Sequence, residues 1–260
     1  MSVKNKVVLI TGAASGLGLG MAKEFAKQEA KVVIADLDLQ KSQDVAKELA
    51  QQNHVDTLAV EMDVTSQEQV KKGIYQIIDK FGRIDTVINN AGIQIISPIV
   101  DFDVSAWKKI FEIHMTGTLL VTQEAMRHMI KLKTGGRVIV IGSIHSVLAS
   151  KNKAAYVAAK HAQLGFVRAL AKEGAEHNIS SNLIAPGFVL TPLVEKQIPE
   201  QAKELNISEE EVIKNIMLGN TVDGEFTTVQ DIADTAIFLA GFKTNALTGQ
   251  KILVSHGAGM

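Results

Sequence analysis

Cysteine is missing from all 260 residues, which excludes disulfides, a thiol nucleophile and thiolate metal ligands. Charge of one sign is missing too: 27 Lys and Arg face 28 Asp and Glu. No global field therefore points to nucleic acid or a membrane surface. No apolar run reaches 18 residues, and the apolar run at the N-terminus is too short for a signal peptide or a span. The seven His show no tight ligand spacing; His114 and His128 lie nearly four helical turns apart and cannot share an ion. No metal, nucleic acid or membrane partner is expected, and the chain is read as soluble and cytoplasmic. No linker, repeat or low-complexity block divides it, so residues 1–260 are read as one domain.

What is present is an alternation. Short apolar, β-branched runs at 6–11, 31–36, 57–63, 84–90, 137–143, 179–186 and 250–255 read as strands. Helical patterns fall at 18–30, 39–52, 66–81, about 104–131, 153–177 and 229–241. Gly82 reads as a helix C-cap. Strands apolar throughout imply burial on both faces, as in a parallel sheet covered by helices. Strict βαβ alternation predicts an α/β, Rossmann-like doubly wound sheet of about seven strands. Residues 187–228 break the rhythm. Thr191-Pro192 resembles a helix start, and Ser208 with Glu211 fits a capping box, so about two short helices are expected. An insertion leaving the carboxyl end of a strand is placed to act as a substrate lid.

"TGAASGLG" at 11–18 joins the first strand to the first helix. Gly12, Gly16 and Gly18 allow a tight turn and close backbone approach. The helix N-terminus beyond offers free N–H groups and a positive dipole end to a pyrophosphate. Asp36 ends the second strand, where a carboxylate accepts from both ribose hydroxyls and repels a 2′-phosphate. No Arg or Lys in the glycine loop offsets that repulsion, so NAD is expected rather than NADP. Asp63, in "MDV", is a candidate for the adenine amino group. Asn90 and Gly92, in "NNAG", are candidates to line the central ribose.

These pieces, with Ser143 at the end of the fifth strand, "YVAAK" at 156–160 and "PG" at 186–187, resemble the short-chain dehydrogenase/reductase family over essentially the whole chain. The resemblance implies Tyr156 as general acid/base, Lys160 tuning it and holding the nicotinamide ribose, and Ser143 bonding the substrate oxygen. It adds Ser15, Leu17, Val64, Pro186, Gly187, Val189 and Thr191 to the expected cofactor residues, and implies a homotetramer. Residues four apart share a helix face. A phenol titrates near 10, and a neighbouring ammonium favours the phenolate; bringing it to about 7 takes roughly 4 kcal/mol. Lys160 and a positive nicotinamide ring are the expected sources. In the long fourth helix the family's usual Asn, which helps hold a proton-relay water, is replaced by His114, which is expected to take over that relay.

Within the family, "GIQ" (92–94), "SIHSVLASKNKAAYVAAKHA" (143–162) and "PGFVLTPLVEKQI" (186–198) resemble D-3-hydroxybutyrate dehydrogenases. That resemblance implies that Gln94, His145, Lys153 and Gln197 hold the carboxylate of a small hydroxy or keto acid, with Ser143 and Tyr156 at its hydroxyl. Phe188 stands where that group commonly has Trp, and the ending "VSHGAGM" departs from the usual "DGG" tail. The alternatives are another small hydroxy acid, a 3-oxoacyl substrate, or a catalytically silent NAD-binding sensor.

Overall fold

Seven parallel strands form one sheet in the order β3-β2-β1-β4-β5-β6-β7. The structure is a computed structural model and describes residues 2–260, the side chain of Leu193 excepted. The strands are β1 (Val7–Thr11), β2 (Lys31–Asp36), β3 (Thr57–Glu61), β4 (Thr86–Asn89), β5 (Gly136–Ile141), β6 (Ile179–Pro186) and β7 (Lys251–Val254). The main helices are α1 (Gly16–Lys27), α2 (Leu39–Asn53), α3 (Gln67–Phe81), α4 (Val104–Phe111), α5 (Gly117–Leu132), α6 (Ala154–Gly174), α7 (Pro192–Leu205), α8 (Glu209–Glu211) and α9 (Val229–Ala240).

Successive side chains in a strand point to opposite faces, and both faces here are apolar. Val8 and Ile10 meet Met21 and Phe25 of α1 and Leu239 of α9. Val7 and Leu9 meet Ile74 and Ile77 of α3 and Val121 of α5. Burying both faces is what fixes the parallel arrangement with helices on each side.

Element identities match the periodicity, and the differences lie at boundaries. Helix 104–131 is interrupted: a π-helical turn at Glu112–Thr116 separates α4 from α5. The expected helix to 177 ends at Gly174, followed by a 3₁₀ turn. Gly82 caps α3 with φ 75°, a conformation suited to glycine. Thr191 occupies the N-cap of α7 with Pro192 first in the helix, but its side chain makes no cap bond. The capping box Ser208–Glu211 is formed in both directions. Among the described residues, no helix is long and apolar enough to cross a membrane.

The sheet order reverses between β1 and β4, and the crevice beyond their carboxyl ends is where ligands bind in this architecture. The segment 187–228 rises from the end of β6. Ile198, Val212 and Met217 form its own apolar cluster, with Phe188 and Phe226 against it.

Candidate active site

A cleft of about 710 Å³ lies beyond the carboxyl ends of the strands. Every residue expected to hold the dinucleotide lines it except Gly18. Gly18 instead packs inward, where a Cβ would collide with the Gly12 carbonyl and the Asn90 amide. Gly12 (φ 64°) and Gly16 (φ 53°) are both left-handed, and a Cβ on Gly16 would meet nothing. Ser15 sits at the N-cap of α1 without a side-chain cap bond. The first-turn amides of α1 thus open on the cleft with no capping oxygen, a donor set suited to a pyrophosphate.

Asp36 lines the same cleft. Its Oδ2 accepts from the Ala14 amide at 3.0 Å, which ties the glycine loop to the end of β2. Asn90 donates through Nδ2 to the carbonyls of Thr11 (2.9 Å) and Gly12 (3.2 Å). Its amide therefore braces the loop as well as lining the cleft. Asp63 accepts from the amide and hydroxyl of Thr65. Thr11, which opens the glycine motif but was given no role of its own in the sequence, accepts from the amides of Asn90 and Ala91 through Oγ1 at 3.0 and 3.1 Å. Lys109, Glu112 and Ile113 also line the cleft. Nothing in their sequence spacing sets them apart from an ordinary helix.

α6 shows why small residues separate Tyr156 from Lys160. Ala155 and Ala159 are fully buried against Ile110 of α4, so a larger side chain would push the two helices apart. Tyr156 and Lys160 take the neighbouring face, toward the cleft. The Lys160 Nζ lies 5.4 Å from the centre of the Tyr156 ring and donates to the Ile141 carbonyl at 2.7 Å. Ser143 Oγ accepts from the His145 amide at 3.1 Å, and the Ser143 side chain also hydrogen-bonds Tyr156.

Burial sets the electrostatics of the pair in the protein by itself. Burial pushes the Tyr156 phenol up to about 12, and the Ser143 bond only partly opposes this. Burial also brings the Lys160 ammonium down to about 7. The protein's own residues thus do not lower the phenol: desolvation acts on both partners, and a lysine close to neutrality is a weak source of field.

His114 is 1 % exposed, on the π-helical turn. Its Nε2 lies 3.1 Å from the Ile93 amide and 2.8 Å from the Ile93 carbonyl. Its Nδ1 is buried without a partner. Burial, then the nearby Lys160, brings it down to about 3, so the ring is neutral at pH 7. It packs edge-on against Tyr156 with centroids 5.5 Å apart. The His114 carbonyl accepts from Thr118 Oγ1 (2.7 Å) and Gln163 Nε2 (2.9 Å). The imidazole is thus held through Nε2 by Ile93, the residue after "NNAG", while Nδ1 keeps no protein partner and the ring lines the cleft. Gln163 was not anticipated; its three-residue spacing from Lys160 was the available signal.

Gln94, His145, Lys153 and Gln197 do not line the cleft. His145 (5 %), Lys153 (2 %) and Gln197 (4 %) are buried. Phe188 joins them: the Lys153 Nζ stands 5.1 Å from its ring centre, and His145 meets it edge-on at 6.3 Å. His145 also meets the Tyr156 ring at 6.0 Å. Burial, followed by the charge of Lys153, takes His145 down to about 4, and burial takes Lys153 down to about 8. Among the described residues, no carboxylate pairs with Lys153. The Gln94 Nε2 is buried without an acceptor.

A doubly wound sheet, a glycine loop at its switch point and a Ser143–Tyr156–Lys160 group define a dinucleotide-dependent oxidoreductase. The chain belongs to the short-chain dehydrogenase family, whose model matches residues 6–202. It is 37 % identical over 253 residues to a D-beta-hydroxybutyrate dehydrogenase of Rhizobium meliloti, covering 97 % of this chain and 98 % of that protein. It is 32 % identical to a 3-oxoacyl-(acyl-carrier-protein) reductase of Thermotoga maritima, covering 99 % of each. The structure of L-sorbose reductase from Gluconobacter frateurii, complexed with NADPH and L-sorbose, superposes with a TM-score of 0.91 at 26 % identity, covering 100 % of this chain and 98 % of that one.

Proposed function

We propose that the protein catalyses the reversible NAD-dependent oxidation of D-3-hydroxybutyrate to acetoacetate, in the cytoplasm and as a homotetramer. One observation carries the substrate reading: Lys153 is a buried ammonium with no protein carboxylate among the described residues. An unpaired charge in a dry site is costly. A substrate carboxylate would compensate it, with hydrogen bonds from Gln94, His145 and Gln197. The likeness to the Rhizobium protein supports the same reading. The Thermotoga relative favours a 3-oxoacyl substrate; against that, an acyl thioester brings no anion to Lys153.

Asp36 supports NAD, because its carboxylate at the end of β2 would face a 2′-phosphate with like charge. NAD held by these residues would supply the hydride acceptor and a positive charge that favours the phenolate of Tyr156. As the phenolate, its own proton released to solvent, Tyr156 takes the proton of the substrate hydroxyl, and Ser143 steadies the same oxygen as charge develops on it. Lys160, held on the Ile141 carbonyl, stands behind Tyr156 and adds positive charge only in its protonated fraction. His114 fixes the Tyr156 ring and the "NNAG" segment through Ile93.

The test compares D-3-hydroxybutyrate with its methyl ester, NADH absorbance being followed. The acid is expected to win by roughly a hundredfold in kcat/KM, as for one well-placed buried charge pair. Lys153→Ala is expected to erase that preference. Equal rates for acid and ester in the wild type would remove the carboxylate site.

A further inference from the structure

Gln201 lies on α7 one turn beyond Gln197 and on the same face. It is 6 % exposed, although its neighbours Pro199, Glu200, Lys203 and Glu204 are all exposed. A surface helix normally fills its inward face with apolar groups; α7 places two amides beside Ile198 there. The Gln201 Nε2 is buried and donates to nothing. A buried donor without an acceptor is rare enough in folded proteins to need a cause.

Gln201 lines a second cavity, of about 200 Å³, together with Ile96, Asn152 and Ile216. Three segments of the cavity wall also carry the proposed carboxylate site. Ile96 follows Gln94 by two residues, Asn152 precedes Lys153, and Gln201 follows Gln197 by one helical turn. None of Ser143, Tyr156 or Lys160 lines this cavity. The charges at its edge cancel: Lys151 and Glu204 are both exposed, and Glu204 accepts from Asn152 Nδ2 at 3.5 Å. Lys153, the residue after Asn152, is buried but does not itself line the cavity. At about 200 Å³ the cavity has room for one or two methylenes and a carboxylate.

We propose that Gln201 is a specificity-determining residue, its amide receiving the carboxylate of hydroxy acids whose acid group lies one or two carbons further from the reacting hydroxyl than in 3-hydroxybutyrate. This rests on the reading of Lys153 as the carboxylate anchor. The flexible lysine stem follows the anion outward, and the amide adds a bond to a charged acceptor.

The experiment measures kcat/KM for 3-hydroxybutyrate, 4-hydroxypentanoate and 5-hydroxyhexanoate in the wild type, Gln201→Leu and Gln201→Glu. The wild type is expected to oxidise 4-hydroxypentanoate. Gln201→Leu is expected to lower the ratio of its kcat/KM to that of 3-hydroxybutyrate about tenfold, the worth of one such hydrogen bond. Gln201→Glu keeps the shape, adds like charge, and is expected to lower the ratio further. A ratio unchanged in both variants overturns the proposal, as does a wild type active on 3-hydroxybutyrate alone. A wild type inactive on every acid defeats the Lys153 reading and this one with it.

Discussion

The Tyr156 phenol and the Lys160 ammonium lie within one helical turn, and both lose hydration there. Each shift disfavours the charged form, so the pair starts as a phenol near 12 and an amine near 7. Lys160 and a positive nicotinamide ring together were the expected sources of the downward shift; in the protein by itself, desolvation of both groups outweighs the lysine. Lys153 meets the same effect with a different consequence. Its ammonium titrates near 8 instead of the usual 10.5, so it is charged below pH 8 and neutral above. A carboxylate substrate binds the charged form. KM for 3-hydroxybutyrate is therefore expected to be flat below pH 8 and to rise by up to about tenfold per pH unit above it. Lys153→Met should abolish that rise, which a KM profile from pH 6 to 9.5 would reveal.

The helix α6 is legible in sequence because its alanines at 155 and 159 and its reactive pair obey one periodicity. The π-helical turn at Glu112–Thr116 is not, since it needs an extra residue per turn that no local propensity announces. It carries His114, whose ring bonds to Ile93 in a different element. The segment 187–228 was visible as a break in the βαβ rhythm. Its separate apolar cluster was not. Met217 is 2 % exposed within that cluster, and Met217→Ala is expected to cost about 2–5 kcal/mol locally. Because the cluster stands apart from the two sheet cores, KM for the acid should rise about tenfold or more while the main unfolding midpoint moves little. Kinetics alongside calorimetry separate the two; a fall in Tm matching the full cost would show the segment to be part of the main core. At the start of α9 the Thr228–Asp231 capping box is closed in both directions. Thr228→Ala should lower stability by about 1 kcal/mol in urea unfolding.

On the scale of the whole molecule, sheet order decides where the cleft lies. β1 sits between β2 and β4, so the glycine loop, Asp36 and Asn90 converge although they are far apart in the chain. A ligand spanning them binds the folded state alone. NAD at a hundred times its dissociation constant should add about 2.7 kcal/mol. For a chain of this size that is a rise in Tm of roughly 5–10 °C. NADP at equal concentration should give a much smaller rise; an equal one would remove the role assigned to Asp36.

By itself the sequence determined the seven strands, the parallel sheet and the dinucleotide loop, because hydrophobic period and glycine placement are local properties of the chain. It also determined the Tyr156–Lys160 pairing, since four residues of helix bring them onto one face. Tertiary structure alone decided the protonation of those groups, the bracing of the glycine loop by Asn90, and the orphaned amide of Gln201. Each depends on burial and on partners from distant segments, and desolvation is a property of the packed molecule that no stretch of sequence carries alone.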